Sequence, residues 1–285
     1  MPGDDQLIGL AAQRLGMGQP SVERLTGGSR NRCYAVSDAD REVVVRIAGE
    51  NDRAYAVARA AESLAQRTAA AQGLAPAILL EEAELGLVVM ERADGSAWSR
   101  ELARSPAGAA CLGRWLRRLH QLPPPSGMRH VDFVSSLDHY AAELGGGMAG
   151  DLATRARRTV GRLGRDGHGV LCHNDLHHLN IIGSQESISV VDWEYAGLGD
   201  PVMDLAAFLA YHDLDTPATS ALLDAYGTGA AAPSPGRLAD ARWLFEAVWW
   251  AWLELHRRLH PDETAELGDA RRRLAARLTP GGFAD

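Results

Sequence analysis

The sequence predicts an α+β protein: a small antiparallel sheet with one helix at the N-terminal end, followed by a larger, mainly helical C-terminal part. Three observations lead to this. Short β-branched runs punctuated by turn signals crowd residues 22–90, Ala-, Leu- and Arg-rich stretches fill most of the remaining chain, and this second part is interrupted only by brief apolar runs between residues 170 and 191.

After a short N-terminal helix candidate, a strand begins at Val22-Glu23-Arg24-Leu25, turns at Thr26-Gly27-Gly28-Ser29-Arg30-Asn31 and resumes as Arg32-Cys33-Tyr34-Ala35-Val36. A further strand, Glu42 to Ile47, comes after the polar turn Ser37-Asp38-Ala39-Asp40. From Arg53 to Gln72 strong helix formers dominate, and Gly73 with Pro76 just beyond gives a stop. Strands at Ala77–Leu80 and Leu87–Met90 complete the small sheet. Helices are then expected from Ala109 to Gln121, ended by Pro123-Pro124-Pro125, and around Asp138 to Leu144. The β-like runs of the second part are Val170-Leu171-Cys172, Asn180-Ile181-Ile182 and Ile188-Ser189-Val190-Val191.

A chain of 285 residues, 46% hydrophobic, can bury a sizeable core as one large domain or two lobes. No stretch approaches the roughly 18 apolar residues of a membrane span, and Met1-Pro2-Gly3-Asp4-Asp5 lacks the basic-then-apolar pattern of a signal peptide, so the expected compartment is the cytoplasm, with no membrane partner. Cys33, Cys111 and Cys172 are too scattered for a disulfide framework or a thiolate zinc site. The net charge of -8 argues against a nucleic-acid partner and suits a cationic ligand. All 29 basic residues are arginine, which excludes a Schiff-base lysine and a Walker A lysine; a phosphate held here by a side-chain cation is held by arginine.

The chemistry gathers where polar residues interrupt those apolar runs: His173-Asn174-Asp175-Leu176-His177-His178-Leu179-Asn180, then Asp192-Trp193-Glu194. Phosphoryl transfer needs a carboxylate to orient the nucleophile and take its proton, oxygen ligands for Mg2+, and a cation on the phosphates. Asp175 supplies the first, and Asn180 with Asp192 the second. A rival drawing makes His173, Asp175, His177 and His178 a metallo-hydrolase cluster. It leaves Asn180, Asp192 and Glu194 without roles.

His173-x-Asp175-x4-Asn180 followed by Asp192-x-Glu194 resembles the motifs of the aminoglycoside phosphotransferase and choline kinase superfamily. Cys172 to Leu176, Val191 to Pro201 and Asp204-Leu205-Ala206 look most like choline and ethanolamine kinases, with bacterial thiamine kinases a close second. The resemblance covers nearly the whole chain. It implies a two-lobed protein-kinase-like fold that uses ATP and Mg2+, with an ATP-binding lobe over residues 1–93 and a catalytic and substrate-binding lobe over 94–285. Gly28, Ser29 and Asn31 of the glycine turn would cover the phosphates, although the turn taken alone reads better as an ordinary hairpin. Arg46 stands where protein kinases carry lysine, and the resemblance pairs it with Glu62, which is otherwise one more solvated helical carboxylate. The adenine would lie along Met90, Glu91 and Arg92. Asn180 and Asp192 would bind Mg2+, with Glu194 as a second-metal ligand, while Asp204 and His173 would brace the loop. No activation loop and no Ala-Pro-Glu come after Asp192, so the implied acceptor is small.

The acceptor's identity rests on Phe245 to His256. On a helix Trp249, Trp252 and His256 share a face, while Trp250 points elsewhere with Glu254. Quaternary ammonium groups are recognised by aromatic faces. Trp249 and Trp252 match the pocket positions of choline kinases, and Tyr195 would add a third wall; the alternative is that these tryptophans are core. The resemblance therefore implies transfer of the γ-phosphoryl group of MgATP to the hydroxyl of a small cationic alcohol, choline or ethanolamine, with thiamine or an aminoglycoside as alternatives. A catalytically silent nucleotide-binding module is the competing class, and intact Asp175, Asn180 and Asp192 argue against it.

Overall fold

The computed structural model describes residues 2–25, 30–163, 169–227, 233–261 and 264–279. Helix α1 (Asp4–Leu15) opens the chain, with Asp4 and Asp5 in its first turn and left-handed Gly16 closing it. Strands β1 (Ser21–Leu25), β2 (Arg32–Ser37), β3 (Glu42–Ile47), β4 (Ile78–Glu82) and β5 (Leu87–Glu91) form one antiparallel sheet in the order β1-β2-β3-β5-β4. Alternation along the strands divides its faces. Val43, Val45, Ile47, Leu87 and Val89 pack with Leu7, Ile8 and Ala11 of α1, whereas Val44, Arg46 and Met90 turn to a cleft beneath the sheet.

Helix α2 (Arg59–Ala70) begins later than the residue propensities suggest. Residues from Asn51 to Val57 form a turn instead, with Asn51 and Ala56 in the left-handed region at φ 63° and 56°. Tertiary burial overrides helix propensity here. Tyr55 from this turn is fully buried, its hydroxyl 2.9 Å from His256 Nδ1 and its ring 5.6 Å from that of Trp252.

The chain then crosses into a helical lobe. The crossing is stitched to the far side: Trp98 N–H donates to the Ile181 carbonyl and Gly183 N–H to that of Ser96. Helices α3 (Arg100–Arg104), α4 (Pro106–His120), α5 (Phe133–Leu144), α6 (Met148–Leu163), α7 (Val202–His212), α8 (Thr216–Tyr226), α9 (Pro235–Leu259) and α10 (Ala265–Leu278) make up the lobe. Two starts lie upstream of the expected ones because capping side chains set them. Ser105 Oγ accepts from Gly108 N–H ahead of α4, and Asp132 accepts from Val134 and Ser135 N–H ahead of α5. Helices α7, α5, α6 and α10 pack on the long α9, and α4 packs on α8.

Four short strands carry the polar motifs: β6 (Val170–Cys172), β7 (Ile181–Gly183), β8 (Ile188–Val190) and β9 (Gly197–Gly199). Strands β7 and β8 pair, and β6 pairs with β9. Strand β9 has no propensity signal, and its glycines are there for close packing. A Cβ on Gly197 would lie 2.5 Å from Val131 Cγ2.

Candidate active site

The loop after β6 is held from below by one buried carboxylate. Asp204 of α7 accepts His173 N–H at 2.9 Å and Asn174 N–H at 2.6 Å, and His120 Nε2–H bonds the same group at 3.0 Å. His120 Nδ1 in turn accepts from the Tyr226 hydroxyl at 3.0 Å. Burial raises the Asp204 carboxyl, but the hydrogen bonds it accepts from His120 and from the His173 amide outweigh it and hold it below the ordinary range. This support lets Asn174 sit in the left-handed region at φ 67°, while its amide donates to the Tyr195 carbonyl. His173 is scaffold as well. Its Nε2–H donates to the Val191 carbonyl, its Nδ1 accepts from Asp175 N–H, and its ring lies edge-on to that of Trp193, 4.6 Å away.

Asp175 thereby points into the cleft. Its Oδ1 accepts from the Tyr211 hydroxyl at 2.6 Å, and its Oδ2 lies 3.3 Å from Asn180 Nδ2 and 3.8 Å from His177 Nε2. Burial pushes its pKa up to about 6, against the pull of the Tyr211 hydrogen bond. Asn180 Nδ2 also donates to the Asp175 main-chain carbonyl at 2.9 Å, which leaves its Oδ1 for another partner. Across the cleft Asp192, left-handed at φ 64°, accepts from Asn31 Nδ2 at 3.1 Å. Burial and the neighbouring charge of Glu194 push the Asp192 carboxyl well above its usual range.

Glu194 sits in an arginine network that no sequence motif announces. It accepts from Asn31 at 2.9 Å, from Arg30 at 3.1 Å and from Arg59 at 3.4 Å, and both arginines also bind Asp52. The Arg30 guanidinium lies 4.2 Å over the Tyr55 ring. On the sheet side, Arg46 and Glu62 meet at 2.6 Å with 6% and 2% of their side-chain surfaces exposed, so Glu62 is no solvated carboxylate. Met90, Glu91 and Arg92 line the same cleft, although Glu91 N–H is bonded to the Ala77 carbonyl. Gly28 and Ser29 of the glycine turn lie outside the described residues.

The cleft has a volume of about 1040 Å³ and runs from the sheet past Asp175 to helices α9 and α10. At this far end Tyr195, Tyr211, Phe245, Trp249 and Trp252 line it. Trp249 and Trp252 also pack against the core, and each keeps part of its surface in the cleft, whereas Trp250 is 7% exposed and faces away from it. The Trp252 indole N–H donates to the Tyr195 hydroxyl at 2.7 Å, and the Tyr211 ring stands edge-on to Trp249 at 4.6 Å. Tyr211 carries no motif. The one trace of it in the sequence is its place two helical turns beyond Asp204, on the same face of α7.

The metallo-hydrolase drawing finds no support in this geometry. Among the described residues, the one group of three His, Cys and acidic side chains with ligand atoms within 4.8 Å of one another is His120, Cys172 and Asp204, beneath the loop. Burial pushes the Cys172 thiol well up, and the Asp204 oxygens are already occupied, so this group is a packed brace.

The model of the phosphotransferase enzyme family matches residues 21–241. The chain belongs to that family. Among solved structures, this phosphotransferase is similar to a choline/ethanolamine kinase family protein from Mesorhizobium loti, with TM-score 0.77, 24% identity and coverage of 98% of this chain and 96% of the other. It is also similar to choline kinase LicA from Streptococcus pneumoniae, with TM-score 0.79, 19% identity and coverage of 97% and 99%. These likenesses establish the kinase-like fold. In sequence, a LicA homologue of Metamycoplasma hominis is 35% identical over 95 residues, which span 33% of this chain and 37% of that protein. The family match ends at residue 241, so Phe245, Trp249, Trp252 and all of α10 lie beyond it. Among the described residues of this phosphotransferase, no helix is long and apolar enough to cross a membrane.

Proposed function

We propose that the protein transfers the γ-phosphoryl group of MgATP to the hydroxyl of a small cationic alcohol, choline or ethanolamine, in the cytoplasm. The observation that carries this reading is the aromatic wall around Asp175. Tyr195, Tyr211, Trp249 and Trp252 face the part of the cleft that the Asp175 carboxylate opens on, and that combination suits a fixed positive charge placed a short distance from a hydroxyl. Protein kinases need no such wall.

On this reading residues 1–93 form the nucleotide-binding half and residues 94–285 the catalytic and acceptor half. Arg46, held by Glu62, binds the phosphates, Gly28, Ser29 and Asn31 cover them, and the adenine lies along Met90, Glu91 and Arg92. Asp175 orients the acceptor hydroxyl and takes its proton. Asn180 and Asp192 offer the hard oxygen donors that Mg2+ requires, with Glu194 as a further acidic ligand. The donor set fits a divalent cation, because burial and the Glu194 charge push the Asp192 carboxyl well above its usual range, and a cation beside it would relieve both. Bound there, Mg2+ would neutralise charge on the phosphate oxygens.

The test is ATP consumption, with product identified by 31P NMR, against choline, ethanolamine, thiamine and an aminoglycoside. Choline or ethanolamine should be phosphorylated at the highest kcat/KM. Preference for thiamine or the aminoglycoside would replace the acceptor while keeping the reaction. ATP binding without consumption for any alcohol would favour a silent nucleotide-binding module.

A further inference from the structure

Tyr211 occupies two environments at once. Its ring belongs to the aromatic wall, set edge-on to Trp249 at 4.6 Å, to Phe245 at 5.1 Å and to His177 at 5.6 Å. Its main-chain carbonyl is pinned by Arg100 Nη1 at 3.2 Å. Its hydroxyl reaches out of that wall to Asp175 Oδ1 at 2.6 Å. Burial and the adjacent Asp175 charge keep the phenol protonated, so the tyrosine donates and the carboxylate accepts. With the ring fixed by three neighbours and the backbone by a fourth, the hydroxyl has little freedom to swing away.

The two oxygens of Asp175 are therefore inequivalent. Oδ1 is capped by a short hydrogen bond, whereas Oδ2 has only a 3.3 Å contact from Asn180, whose better bond goes to the Asp175 main-chain carbonyl, and a distant His177. We propose that Tyr211 is the positioning residue of the reaction, locking Asp175 so that Oδ2 is the atom that meets the acceptor hydroxyl. The inference rests on the phosphotransferase reading above. In the step it serves, the acceptor O–H proton passes to Oδ2, a bond forms between the acceptor oxygen and the γ-phosphorus, and the bond to the β-phosphate bridging oxygen breaks, leaving its electron pair on ADP. Because one side chain both lines the acceptor's seat and fixes the base, the register between the bound alcohol and the carboxylate is set by a single rigid ring.

Tyr211→Phe keeps the ring and removes the hydroxyl. A hydrogen bond to a charged group translates into a rate factor of roughly 10- to 100-fold. Single-turnover phosphoryl transfer in this variant should fall by about that factor, while the acceptor KM stays within threefold and the melting temperature holds. Tyr211→Leu, which also removes the ring, should in addition raise the acceptor KM. Unchanged transfer in Tyr211→Phe would overturn the proposal, and a raised KM with unchanged transfer would reduce Tyr211 to a wall. Slow ATP hydrolysis by water in the absence of alcohol uses the same carboxylate oxygen and separates this inference from the choice of acceptor. If no alcohol is phosphorylated yet hydrolysis drops in Tyr211→Phe, the acceptor reading fails and the positioning role stands; hydrolysis unchanged in the variant overturns the positioning role.

Discussion

Arg46 of β3 and Glu62 of α2 meet at 2.6 Å, both almost wholly shielded from water, with Arg46 lining the sheet side of the cleft. Removing one partner of such a pair leaves a buried charge, at a cost of about 3–5 kcal/mol, while replacing both by apolar groups is often neutral. Glu62→Gln should therefore lower stability and raise the KM for ATP at least tenfold. Arg46→Met with Glu62→Leu should regain much of the stability and none of the activity. Thermal unfolding and ATP titration on the same preparations check both outcomes.

The Asp175 carboxyl, raised to about 6 by burial, fixes an acid limb. If Asp175 takes the acceptor proton as proposed, it must be ionised, so kcat/KM for the alcohol should fall about tenfold per pH unit below pH 6. The sign for stability is opposite to that of an ion-paired acid. Between the unfolded value near 4 and the folded value near 6 the native state binds more protons than the unfolded one, so stability falls as pH rises through that window. Asp175→Asn should abolish turnover and raise the melting temperature at pH 7.5 by a few degrees, and a destabilised variant would contradict it.

Trp252 and Trp250 are two residues apart on α9 and should behave differently. Trp252→Ala should raise the choline KM about tenfold or more with modest loss of stability, because its indole faces the cleft. Trp250→Ala should cost about 3–5 kcal/mol of stability with the KM nearly unchanged, because that indole is core. Steady-state kinetics with urea unfolding separate them, and equal KM values would make both tryptophans packing residues.

Asp204 holds two loop amides and His120. Asp204→Ala leaves those donors buried and unpaired, so a loss of about 3 kcal/mol or more is expected, with kcat falling over 100-fold. Hydrogen exchange at His173 and Asn174 should accelerate in the same variant, since their amide protection comes from this carboxylate.

Much of this architecture is legible before folding because its parts are local. The strand alternation that puts Val43, Val45 and Ile47 on one face and Val44 and Arg46 on the other is a period of two in the sequence, and the loop of Asp175 and Asn180 is contiguous. The contacts the sequence does not show span long separations. Arg30 and Arg59 reach Glu194 across more than a hundred residues, and Tyr211 is a lone phenol in an apolar helix, distinguished only by its partner. Residues 53 to 57 look helical by composition, yet the burial of Tyr55 holds them in a turn. Strand β9 is Gly-Leu-Gly, chosen for clearance, which no propensity scale registers.

The same Tyr55 limits how the molecule can be recombined. It is carried by the N-terminal half but seated against the stacked rings of Trp252 and His256 of α9, with its carbonyl bonded to the Tyr140 hydroxyl and that of Ala54 to His139. A chimaera joined near residue 93 would bring a relative's plug to this chain's socket. N-terminal halves divided at the proposed boundary should therefore be exchangeable between relatives only when the Tyr55 turn travels with matching residues on α5 and α9, and a graft respecting that boundary alone should assemble poorly even if each half is sound.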